Sequence, residues 1–130
     1  MDTPDTIRNP ERFTEAKPAG FDGVFDWKWT QGCFGDTKIS PMDLDGIVER
    51  RGYFFIFETK DVGVPLPTGQ KITLNSLHKA LSPKCAIMVV YGKLTFESAK
   101  MKWLDSEWYD IRTVEEARRY IKEWFDIAST

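Results

Sequence analysis

The alternation of apolar and polar positions is clearest over residues 42–60, MDLDGIVERRGYFFIFETK, where two β-prone stretches flank Arg51-Gly52. Glycine takes the positive φ that a tight turn demands, so the segment predicts a β-hairpin. The Pro- and Gly-rich DVGVPLPTG that follows predicts a loop, with Thr68 as the N-cap of a helix starting near Gly69. Leu74, Leu77 and Leu81 recur at helical spacing until Ser82-Pro83 ends the run. CAIMVVY, residues 85–91, is almost wholly apolar, the pattern of a strand buried on both faces. Residues 93–104 alternate loosely and predict a further strand. Near the end, Thr113 and Glu116 match a capping box. Val114, Ala117, Tyr120, Ile121, Trp124 and Phe125 then form the apolar stripe of a final helix.

Upstream the pattern is weaker. Residues 1–20 are polar and interrupted by Pro4, Pro10 and Pro18, leaving room for one short helix over Pro10 to Lys17. Residues 21–35 are aromatic-rich without a clean period, and Val24, Phe25, Trp27 and Trp29 suit a strand or a wrapped loop alike. The order of helix, hairpin strands, helix, strand, strand and helix predicts a small mixed α/β domain spanning 1–130.

Composition narrows the classes. With 130 residues, 42% of them hydrophobic, the chain has material for a core, which excludes wholesale disorder. No apolar run approaches the ~18 residues of a membrane span, and the first residues carry no apolar signal region. The two cysteines, Cys33 and Cys85, fit neither a disulfide scaffold nor a zinc site, so a cytoplasmic location is expected. The net charge of −2 excludes a generally basic, DNA-coating protein, yet residues 71–102 hold six lysines against the single acid Glu97. Such a stretch serves as a solvated face or as the place where a polyanion lies.

The hairpin carries the candidate chemistry. Asp43 and Asp45 fall on its first strand, and Glu58 and Lys60 near the end of its second. A two-residue turn at Arg51-Gly52 pairs Arg50 with Tyr53, which sets Asp45 opposite Glu58 and Asp43 opposite Lys60. A three-residue loop would instead send Asp45 and Glu58 to opposite faces. Opposed residues have Cβ atoms ~4.5–5.5 Å apart. Two carboxylates that close repel unless a cation lies between them, and oxygen ligands suit Mg²⁺ or Mn²⁺. A nearby lysine can hold or help deprotonate an attacking water.

Pro41-Met-Asp-Leu-Asp45-Gly followed by YFFIF and Glu58-Thr-Lys60 resembles the PD-(D/E)XK nuclease superfamily, the restriction-endonuclease-like fold, closest to its small phage and bacterial members. The resemblance covers residues 40–91 and implies an αβββαβ core, a central mixed sheet flanked by helices. It also implies divalent-metal-dependent hydrolysis of DNA phosphodiesters by a metal-activated water. Asp45 and Glu58 would hold the metal, with Asp43 as a second ligand or a residue orienting Lys60, and the carbonyl of Thr59 as a further donor. The family's proline directly before the acid is absent, so which aspartate is the main ligand stays open.

In relatives similar to RecB, a glutamine on the next helix lies near the metal. Gln70 matches it, sharing a stripe with Leu74, Leu77 and Leu81, although the tyrosine that follows in that pattern is missing and a polar residue opening such a stripe equally suits an exposed first-turn position. Lys71 and Lys79 on this helix are candidate phosphate contacts. Glu11 and Glu15 fit ordinary first-turn acids better than metal ligands. His78, one residue off the leucine stripe, reads as a helix-surface histidine. Cys85 and Trp124 read as core, and the Trp27/Trp29 and Trp103/Trp108 pairs as mostly core. One metal site per small domain makes a homodimer the natural way to cut both strands of a duplex. The rival expectation is a catalytically silent member of the fold, an accessory or inhibitory factor that binds nucleic acid or a protein.

Overall fold

The computed structural model describes residues 26–130, so the expected helix over Pro10 to Lys17, with Glu11 and Glu15, lies outside the described residues. The chain divides into two units between Pro41 and Met42. In the first, Lys28–Thr30 forms a 3-10 turn, which settles the Trp27/Trp29 segment as a wrapped turn rather than a strand. Trp29 is 69% exposed there and Trp27 only partly buried, where the pair was expected to be mostly core.

The second unit is a mixed α+β structure. Its elements are β1 (Gly46–Arg50), β2 (Tyr53–Lys60), α1 (Thr68–Leu81), β3 (Cys85–Tyr91), β4 (Ser98–Lys102), β5 (Trp108–Ile111) and α2 (Val114–Ala128). The five strands form one sheet in chain order, antiparallel except for β2 and β3, which run parallel. Parallel neighbours need a crossover, and α1 supplies it. Of an αβββαβ core, the described residues hold the hairpin, the crossover helix and the strand after it.

Two clusters form the core, one on each face of the sheet. Ile56, Cys85 and Ile87 pack with Leu74, Leu77 and Leu81 of α1. On the opposite face Phe55, Met88 and Met101 pack with Ala117, Trp124 and Ala128 of α2. Strand residues alternate between these faces, so one parity of β2 and β3 serves each helix. Residues Cys85 to Val89 are all buried, as the apolar run predicts. The α2 cap also follows its sequence: Glu116 N–H donates to Thr113 Oγ1 at 3.1 Å, and Arg112 N–H to Glu116 Oε1 at 3.0 Å. Val114 and Phe125, placed in the apolar stripe, are instead half-exposed, and the Arg50 guanidinium lies 4.6 Å from the Phe125 ring centre.

Several expectations are corrected. The strand expected over 93–104 occupies only Ser98–Lys102, and β5 was not foreseen. Helix α1 includes Thr68; Pro67 is the N-cap, its carbonyl accepting from Lys71 N–H at 2.9 Å, and no side chain caps the helix. His78 is not on the surface but 1% exposed, because the chain leaving β4 crosses it and the Trp103 carbonyl lies 2.6 Å from His78 Nε2. Burial pulls the imidazole pKa below its usual value, opposed by that carbonyl, so His78 is a neutral core group. Trp108 is 41% exposed rather than core, whereas Trp124 is buried as expected.

Candidate functional site

The hairpin turn has the two-residue form. Arg51 and Gly52 both have positive φ, 50° and 84°, and the ladder runs from Arg50↔Tyr53 to Gly46↔Phe57. Asp43 and Asp45 therefore lie just before β1 rather than within it. The next pair in register is Asp45 with Glu58. Their alignment shows in a bond of 3.3 Å from Asp45 N–H to Glu58 Oε1.

Glu58 shares a face with Ile56 and so points toward α1. There Gln70, in the first turn, donates from Nε2 to Glu58 Oε2 at 2.7 Å. The carboxylate is thus fixed from both sides, and its residue is only 2% exposed. Burial, and next the negative charge of Asp45, push the Glu58 pKa up to about 6, while the Lys60 ammonium pulls the other way. The Asp45 carboxylate is held by its own neighbour: Thr59 donates to Oδ2 from its backbone N–H at 2.8 Å and from Oγ1 at 2.9 Å. Sequence reasoning assigned Thr59 only a carbonyl; its hydroxyl as the clamp on Asp45 was missed. A hydroxyl between two candidate site residues was the signal available.

The structure brings Asp45, Glu58, Thr59 and Gln70 into one bonded group with the Lys60 charge beside it. Asp43 is exposed and makes no hydrogen bond or ion pair among the described residues, so it neither orients Lys60 nor joins the cluster. Lys79 is exposed in the last turn of α1. Nine residues beyond Gln70, it stands about 13 Å further along the helix axis.

The donor set is all oxygen: carboxylates on Asp45 and Glu58, and the Gln70 Oε1, which is buried with no hydrogen-bond partner. An orphaned buried acceptor beside two carboxylates is a poor arrangement for an apolar core and a suitable one for a hard cation. No group of three or more His, Cys, Asp or Glu gathers in a metal-like cluster among the described residues. Any cation here would depend on the two acids, amide and carbonyl oxygens, and water, as Mg²⁺ commonly does.

On the same face, the register runs from Glu58 to Val89, then Lys100, then Asp110, one residue per strand. Beyond Val89 this face opens into a cavity of about 350 Å³. None of the descriptions of known protein families, the curated proteins or the solved structures matches this chain.

Proposed function

We propose that the protein is a divalent-metal-dependent nuclease acting on DNA phosphodiester bonds. The observation that carries this reading is Glu58, a buried acid with a pKa raised to about 6, held between Asp45 and Gln70 with a lysine beside it. Burying the Glu58 carboxylate beside the negative charge of the exposed Asp45 is costly, and a cation or proton relieves that cost. A Mg²⁺ or Mn²⁺ ion bound there supplies charge compensation and makes a water molecule a stronger nucleophile at neutral pH.

The chain's own groups divide the remaining work. Asp45 and Glu58 would hold the cation, with the Thr59 carbonyl oxygen as a further donor and the Gln70 amide oxygen as another once that amide turns from the Nε2-to-Glu58 bond it makes here. Thr59 keeps Asp45 from rotating away through two bonds to one oxygen. Lys60 faces the charge that develops on the phosphate as the nucleophile arrives, or takes part in positioning that nucleophile.

A second reading is favoured by those same two bonds. Asp45 caps the Thr59 N–H as a purely structural acid would, and fewer than three acidic ligands gather among the described residues. On that reading the domain binds nucleic acid or protein without cutting. Incubating labelled single-stranded, duplex and branched DNA with and without Mg²⁺ or Mn²⁺ separates the two. We expect metal-dependent cleavage that falls by 10²-fold or more in Glu58→Ala and Lys60→Ala. Folded, inert proteins that bind no divalent ion by calorimetry would leave the binding module as the account.

A further inference from the structure

Beside the carboxylates, Leu66, Lys71, Tyr91, Lys100, Trp108 and Asp110 line the cavity of about 350 Å³, a size typical of small-ligand sites. Its location follows from the register. Val89 pairs with Glu58 and Tyr91 with Lys60, so the cavity begins one strand away from the candidate site. Lys100, opposite Val89, is therefore two strands from Glu58, or about 10 Å at the usual strand spacing.

The lining has a particular chemistry. Trp108 is an exposed aromatic on the α1 side of the sheet, its ring 5.5 Å from the Lys102 ammonium, which is anchored by Asn75 Oδ1 at 3.3 Å. The ammonium groups of Lys71 and Lys100 make no hydrogen bond or ion pair among the described residues. Lys100 faces Asp110 across β4 and β5 without closing an ion pair. Two uncommitted cations, an exposed indole and one acceptor thus meet in a recess just past a pair of acids.

We infer that this cavity is a subsite for one unpaired nucleotide of a single-stranded substrate. Its base lies against Trp108 and Tyr91, and its phosphates lie on Lys71 and Lys100. The inference rests on the nuclease reading in naming a polynucleotide as the occupant. A recess lined with aromatic rings can stack a splayed base, whereas the bases of an intact duplex are already stacked on one another. Asp110 accepts from a base amino or imino group, which makes the recess more than an anion trap. Trp108 and Lys100 then direct the strand across β4 and β3 toward Glu58.

The test is fluorescence anisotropy of a labelled single-stranded DNA 12-mer and of its duplex, in EDTA so that no cleavage occurs. Wild type, Trp108→Ala, Trp108→Phe, Lys100→Ala and Glu58→Gln proteins are compared. The single strand should bind tighter than the duplex. Trp108→Ala should weaken it roughly ten- to a hundred-fold, with much of the loss recovered in Trp108→Phe. Glu58→Gln should bind at least as well as wild type while losing cleavage when Mg²⁺ is supplied. Equal affinity in wild type, Trp108→Ala and Lys100→Ala overturns the subsite even if the protein cuts DNA. Duplex binding as tight as single-strand binding also overturns it. Trp108-dependent binding without metal-dependent cleavage keeps the subsite and removes the nuclease.

Discussion

At Glu58 the protein places an acid where water barely reaches, and that choice has a measurable pH signature. Its pKa rises from 4.5 to about 6 on folding, so between those values the folded state binds more protons than the unfolded one. Stability then falls as pH rises through that window and levels off above it, a cost of at most about 2 kcal/mol at neutral pH. Glu58→Gln keeps the shape, removes the charge, and lets the Gln70 amide turn so that its orphaned oxygen gains a donor. We expect the variant to melt higher than wild type in EDTA at pH 7.5, with a flatter pH dependence from 4.5 to 6.5. Mg²⁺ or Mn²⁺ should raise the wild-type melting temperature and leave the variant's unchanged, because a ligand bound only to the folded state stabilises it. A wild type that melts no lower than the variant at pH 7.5 would show that Glu58 is not under this strain. Sequence made the Asp45–Glu58 pairing legible because it depends only on a turn length. The Thr59 clamp was not legible, since it depends on which way the Asp45 carboxylate turns once β1 begins at Gly46, after both aspartates, rather than at or before Asp43.

Among the elements, the hairpin turn does most to set the site, since adding one residue there would move Asp45 to the other face from Glu58. Gly52 has a φ of 84°, and a Cβ placed there would meet nothing within 4 Å. The penalty of Gly52→Ala is therefore conformational rather than steric, about 1 kcal/mol. That should lower the melting temperature by roughly 4–8 °C with the sheet intact by circular dichroism. No measurable change would mean that the turn takes another form in solution. The hairpin, α1, β3 and α2 were all legible, because each has a clear period or punctuation of its own. The β4–β5 hairpin was not. Its connection places Ser106 at a φ of 72° without the glycine or asparagine that announces such turns, and Asp105 supports it by accepting from Glu107 N–H at 3.0 Å and Tyr109 OH at 2.8 Å. That omission misplaced His78 as well. A histidine one residue off an apolar stripe looks solvent-facing until the segment leading to β5 is seen to cross it.

For the whole molecule the decisive quantity is where the charge lies, since a chain of net charge −2 does not attract a polyanion in bulk. The lysine-rich run of residues 71–102 is folded so that Lys100 and Lys102 project from β4 on the side of α1, where Lys71 stands in the first turn and Lys60 ends β2. That helix covers β3 and leaves this side of β4 and β5 open, with α2 on the opposite face. A basic surface thus lies on the α1 side of this sheet, next to the two carboxylates. If Lys60, Lys71 and Lys100 each neutralise one phosphate of a single strand, binding in EDTA should weaken with salt. A plot of log affinity against log salt should then slope at about −2, near −0.7 for each phosphate. Lys71→Ala should reduce the slope by about 0.7, whereas Lys79→Ala, far along α1, should leave it unchanged. A wild-type slope near zero would mean that these lysines meet solvent rather than phosphate. A slope that Lys79→Ala reduces as much as Lys71→Ala would mean that the strand runs along the outside of α1 instead of over β4.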